Sequence, residues 1–282
     1  MKTFRFLLLL LGVATLSFTA CDDNNDTAAV EPDVASIINA TDLYVTSDID
    51  EATDETSLAS RSAEDLAVAR CFTMELIPNP DGAFWPKKWV IDFGTDGCLS
   101  ALGIVRTGKI YMTLTDYWKN EGSLRTITFE DFYVDGNHIE GVKTIENTGL
   151  NADGQLTWEH KITGGKVTFT DGTTTTLESD RFSVMVAGAD TPVFADDEFD
   201  MTGVSTGVDR NGVNFKAEIT VPLHYINGCR FPVSGELTIT SEGSEVPIII
   251  DYGDGTCDNI ATMTIGEEVT EIELGNFDFM NN

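Results

Sequence analysis

An all-β fold of antiparallel hairpins and meanders, either a β-sandwich or one elongated curved sheet, is predicted by three observations. After residue 70 the chain falls into short runs with apolar residues on alternate positions. Gly paired with Asp or Asn punctuates these runs, and Thr and charged residues fill the positions between. Lys109 to Leu114, Arg125 to Phe129, Lys166 to Phe169 and Glu236 to Thr240 are such runs. Each predicts a strand with one buried and one wet face. Asp135-Gly136, Asp153-Gly154, Asp171-Gly172 and Asn211-Gly212 supply the positive φ of type I′ hairpin turns.

Composition narrows the partners. The chain has 282 residues, with 47 acidic against 17 basic side chains and a formal net charge of −30. Phosphate backbones are bound by clustered Lys and Arg, so no nucleic-acid partner is expected. Four Trp and sixteen Phe can fill a core.

The N-terminus reads as an address. Lys2 and Arg5 precede the apolar run Phe6 to Phe18. A membrane-spanning helix needs roughly 20 residues, so residues 1–20 are predicted to be a secretory signal peptide. Phe18-Thr19-Ala20-Cys21 resembles the lipobox of bacterial lipoproteins, in which the cysteine is diacylated, as with palmitate, and becomes the new N-terminus. The resemblance implies lipidation at Cys21 and a membrane partner held by acyl chains, each buried CH₂ contributing about 0.8 kcal/mol. Loss of Lys2 and Arg5 would take the net charge from −30 to −32.

Residues 21–69 are predicted to be a lipidated cysteine and acidic flexible tether. Asp22 to Ala69 hold thirteen carboxylates and one basic residue, Arg61. Such a segment repels itself and buries little. Ser62 to Arg70 carries the signal for one short helix. Residues 70–282 form the β-rich body, with two related units of about 70–185 and 186–282.

Those units are suggested by internal similarity. Val90 to Cys98 reappears as Ile249 to Cys257, with matching apolar, Asp, aromatic, Gly and Cys positions. Ile162 to Thr170 echoes Val233 to Thr240, and Phe132, Val134 and Gly136 more weakly echo Phe199, Met201 and Gly203. Each copy of the first motif has an upstream cysteine. Once Cys21 is set aside four thiols remain, and the repeated spacing favours Cys71 with Cys98 and Cys229 with Cys257. The rival, a four-thiolate metal site, lacks any Cys-x-x-Cys pair.

The lipobox, the acidic tether and Asp251-Tyr252-Gly253-Asp254-Gly255-Thr256-Cys257-Asp258-Asn259 together resemble uncharacterised exported lipoproteins of the Bacteroidetes type. Asp22-Asp23-Asn24-Asn25-Asp26 looks like their acidic export tag. The resemblance implies an outer-membrane lipoprotein displayed at the cell surface, with the periplasmic face as the alternative. It brings no activity and no catalytic residue with it.

Three chemistries compete for the body. Asp251, Asp254 and Asp258, with Asn259, gather hard oxygen ligands that calcium would accept, but Asp-Gly spacing is equally what a plain turn demands. No other cofactor is expected. Dozens of carboxylates make a glycosidase pair possible in principle without marking one, and His138, His160 and His224 lack a nucleophile elbow. The favoured function is therefore a non-catalytic binding or envelope-structural module, with a glycan or surface protein as partner. Trp85 and Trp118 are its candidate ligand contacts, because flat amphipathic rings near turns stack on sugars or anchor partners. The alternative is a carbohydrate-active hydrolase with an acidic pair near an exposed Trp.

Overall fold

The computed structural model describes residues 33–45, 71–99, 104–191 and 196–275. Helix α1 (Val34–Val45) precedes β1 (Thr73–Ile77), β2 (Lys87–Asp92), β3 (Cys98–Leu99), β4 (Val105–Leu114), β5 (Leu124–Val134), β6 (Asn137–Leu150) and β7 (Leu156–Thr168). Then follow β8 (Thr174–Ala187), β9 (Glu198–Val208), β10 (Asn214–Ile226), β11 (Ser234–Ser241), β12 (Ile248–Asp254), β13 (Ile260–Ile265) and β14 (Glu268–Glu273). All fourteen strands join one antiparallel sheet in chain order, with β3 extending the line of β2 along β4. The fold is thus all-β, a meander in one sheet whose edges, β1 and β14, do not pair with each other.

A single face is buried. In β8 the alternation runs Thr175, Leu177, Ser179, Arg181, Ser183 and Met185 inward, with Thr176, Glu178, Asp180 and Phe182 exposed. One continuous core links inner-face residues from Trp89 and Ile91 in β2 to Ile272 in β14. Thirteen strands laid flat would measure about 60 Å across, whereas a helix is about 10 Å wide. A helix alone cannot cover such a face, so the sheet curls over itself.

Helix α1 lies within that curl. Val34, Ala35, Ser36, Ile37, Ile38 and Ala40 are all buried, and five consecutive helical residues already sweep more than a full turn. Over residues 34–38 it is enclosed on every side. Asp33 caps its start, its Oδ1 accepting from Ser36 N at 2.9 Å. These residues lie within the stretch predicted as flexible tether, and over 33–45 that expectation gives way to a docked helix. The acidic average over 22–69 concealed the local run Val34-Ala35-Ser36-Ile37-Ile38 behind a capping aspartate. The signal peptide, Cys21 and the helix expected at 62–70 lie outside the described residues.

Turn chemistry is partly corrected. Asp135 and Gly136 both have positive φ, as type I′ requires. At the other three predicted turns only the glycine does: Gly154, Gly172 and Gly212. Each donates to the carbonyl three residues back, from Asn151, Phe169 and Asp209 respectively, which makes three-residue loops of type I plus a left-handed glycine. Side chains explain two of them. Asn151 Oδ1 accepts from Asp153 N and Gln155 N, and Asp209 Oδ1 accepts from Asn211 N and Val213 N. Such a bond holds the intervening residues in right-handed turn geometry.

The disulfides pair as expected, Cys71 with Cys98 and Cys229 with Cys257. The two copies of the motif share their aspartate turn and buried aromatic, while Cys98 is buried at the start of β3 and Cys257 is exposed beyond β12. Asp92 Oδ1 accepts from Gly94 N at 2.8 Å and Asp251 Oδ1 from Gly253 N at 2.9 Å. Phe93 and Tyr252, which follow the two aspartates, are both buried. One disulfide ties Cys71, two residues before β1, to Cys98 at the start of β3, and the other ties Cys229, in the link from β10 to β11, to Cys257 just past β12. The second echo marks bulges, since the register shifts at Gly164-Gly165 in β7 and at Gly235 in β11. The weakest echo has no counterpart: Gly136 is in a turn and Gly203 is mid-strand. The expected division near residue 185 falls inside β8, whose pairing with β9 continues the sheet without a break.

Candidate functional site

Antiparallel order sends every second connection to the same end of the sheet. The 78–86 link between β1 and β2 and the 115–123 link between β4 and β5 therefore share an end, and β2 and β4 are hydrogen-bonded neighbours. The fold brings the two tryptophans predicted as ligand contacts onto adjacent loops.

The first loop is braced from within. Asn79 Nδ2 donates to Ala83 O at 2.8 Å and to Pro86 O at 2.7 Å. Phe84 is thereby held out at 72% exposure. Its ring meets Trp85 edge-on, with centroids 5.3 Å apart. Lys87 Nζ lies 4.6 Å from the Phe84 centroid and 4.8 Å from that of Trp85. Trp85 itself is half-buried against the main core. The exposed ring of this loop is thus Phe84, beside the predicted Trp85.

Trp118 is also more structural than predicted. It stacks on buried Trp158 at 5.1 Å, and its carbonyl accepts from Trp158 Nε1 and Asn147 Nδ2. With Ile145, Met185, Leu156 and Phe199 these rings form a second, smaller apolar cluster. Tyr117, beside it, is 42% exposed. Phe84 and Tyr117 thus mark an exposed aromatic corner at this end of the sheet, and Leu76 and Ile77, at the end of β1 where the first loop begins, are exposed as well. Asp116 is engaged in the turn: the hydrogen bond from Asn120 Nδ2, then that from Tyr117 N, hold its carboxyl below the usual range. A general acid needs the opposite shift.

The calcium candidates turn toward their own chain. Asp251 Oδ1 binds Gly253 N, Asp258 Oδ1 binds Ile260 N, and Asp254 Oδ1 accepts from Thr256 Oγ1 and N. The Thr256 hydroxyl, then its N–H, lower the Asp254 pKa. Asn259 donates to Glu273 Oε1. Among the described residues no three His, Cys, Asp or Glu side chains converge as a metal would require. Asp197, in another acidic run with Asp196 and Glu198, is buried.

The histidines divide. His138 stacks on Tyr133 and His224 lies between Asp200 and Glu198, both at the sheet surface. His160 instead faces inward, its Nε2 2.8 Å from Ser183 Oγ. Around it lies a set of residues that periodicity did not reveal, because charged and hydroxyl side chains occupy inward positions. Across β5 to β9 the register aligns Arg125, Ile145, His160, Arg181 and Gly203. The next row aligns Ile127, Lys143, Ile162, Ser179 and Ser205. Lys143, Ser179, Arg181, Ser183 and Ser205 are all buried. This polar band accounts for the split of the inner face into two apolar clusters. A scan against protein-family models, a search of curated proteins and a search of solved structures return no match to this chain.

Proposed function

We propose that the chain is an exported, lipid-anchored, non-catalytic binding module, held at the outer membrane through Cys21 and displayed at the cell surface. It engages a glycan or a surface protein through the aromatic corner at one end of its sheet. The observation that carries this is Phe84, held out at 72% exposure by a loop braced through Asn79, beside the neighbouring loop that exposes Tyr117. An apolar ring held in water on a rigid support suits recognition, because little side-chain entropy remains to be lost on binding.

Phe84→Ala combined with Tyr117→Ala is expected to weaken binding to a glycan or protein captured on arrays about 30-fold, as loss of an aromatic anchor worth about 2 kcal/mol does. Melting temperature should stay within about 2 °C of the parent, since both side chains are exposed. Unchanged binding by the double variant would remove the corner from the function. For the anchor, labelled palmitate is expected in the wild-type chain and not in Cys21→Ala. Label retained in that variant would refute lipidation at this cysteine.

A further inference from the structure

We propose that Arg181, with the hydroxyls of Ser179, Ser183 and Ser205, forms an interior site for a small oxyanion of the carboxylate, sulfate or phosphate class. Arg181 is only 2% exposed. A guanidinium stays protonated at any physiological pH and offers five N–H donors. Here Nη2 donates to Ser205 Oγ at 3.2 Å, while Nε is fully enclosed and has no hydrogen-bond partner among the described residues. Nor does any described carboxylate form an ion pair with it. Enclosing a cation without a counter-charge costs several kcal/mol, far more than an aliphatic residue would at the same inward position.

The surroundings are those of an anion cradle. Ser179 Oγ and Ser205 Oγ are 2.8 Å apart, and Ser183 Oγ is 2.8 Å from His160 Nε2, so a hydroxyl pair and a hydroxyl–imidazole pair flank the guanidinium across β7, β8 and β9. Hydroxyl protons rotate and can turn toward an acceptor. Opposite Arg181 stands Gly203, where a Cβ would come within 2.6 Å of Arg181 Cα and 3.1 Å of its Cγ. The glycine lets the arginine stem lie across β9 toward Ser205. Apolar clusters close the band on both sides, and a low-dielectric wall strengthens a charge pair inside it. The net charge of −30 opposes anions only at long range, where salt screens it beyond about 10 Å.

The test uses the purified full chain, dialysed at fixed ionic strength and titrated separately with inorganic phosphate, sulfate and acetate. At least one is expected to raise the melting temperature saturably, by about 5 to 10 °C at a hundredfold excess over its dissociation constant. Arg181→Met should lose that response, which also separates it from the general stabilisation these salts confer. Should that variant fail to fold, Ser205→Ala is expected to fold and to raise the half-saturating concentration about tenfold. Ion chromatography of the denatured, dialysed protein supplies the second readout, with about one oxyanion released per chain where the site is filled on purification. No thermal response to any of the three anions together with no released oxyanion overturns the proposal, as does an Arg181→Met protein that responds like the parent.

Discussion

Replacing Cys229 and Cys257 together with serine is expected to lower the unfolding free energy by about 3 to 4 kcal/mol, the loop-closure entropy of a cross-link spanning 28 residues. For a body of this size that corresponds to a fall in melting temperature of roughly 6 to 16 °C. The location makes the loss global. β11 and β12 lie inside the sheet, between β10 and β13, and their inward residues Leu237, Ile239 and Ile250 belong to the common core. Freeing the end of this hairpin lets those strands separate with the core attached. Cys71→Ser with Cys98→Ser has a similar loop of 27 residues but staples the edge. There the expected result is local: faster hydrogen exchange confined to β1, β2 and β3, with a smaller fall in melting temperature. Equal effects from the two double variants would show that position in the sheet does not matter, and no effect from the first would contradict the entropic account.

The body was legible because its chemistry is local. The alternating runs at Lys109 to Leu114, Arg125 to Phe129 and Glu236 to Thr240 lie in β4, β5 and β11, and the repeated cysteine spacing pairs as read. Trp89 and Trp158 alternate like core residues and are buried. What escaped depends on curvature and on neighbours distant in sequence. Alternation places Lys143 and Arg181 on the inner face, but hydrophobicity reads a charged residue as solvent-facing, so the polar band is invisible until strands are in register. Ser179 and Ser205 meet across 26 residues. Trp118 looked like a free ring beside a turn, yet its partner Trp158 is 40 residues away. Helix α1 was hidden in a different way. Its apolar run is short and sits among acidic neighbours, and the surface that buries residues 34–38 exists only once the sheet has formed.

One carboxylate joins that helix to a hairpin turn, and Asp209→Ala is expected to destabilise the fold by about 3 to 5 kcal/mol, read by urea unfolding. Asp209 is 1% exposed and accepts three backbone N–H groups. Oδ1 takes those of Asn211 and Val213, closing the hairpin between β9 and β10, and Oδ2 takes Asp33 N at 2.6 Å, just before α1. Arg210 returns the contact by pairing with the Asp33 carboxylate, while stacking over Phe169 from the neighbouring hairpin. Turn and helix are thus joined at one buried group. Alanine would leave all three donors without an acceptor, and a buried unsatisfied donor costs about 1 to 3 kcal/mol, least for the partly exposed ones. Asparagine separates the two roles. Its carbonyl can keep the bonds to Asn211 N and Val213 N, but its amide then faces Asp33 N, donor against donor. Asp209→Asn should therefore retain most of the turn, cost about 1 to 2 kcal/mol, and raise hydrogen exchange in α1 while β9 and β10 remain protected. Were Asp209→Ala to unfold within 0.5 kcal/mol of the parent, α1 would have to be held by its enclosed apolar side chains alone, with the carboxylate contributing only to the shape of the turn.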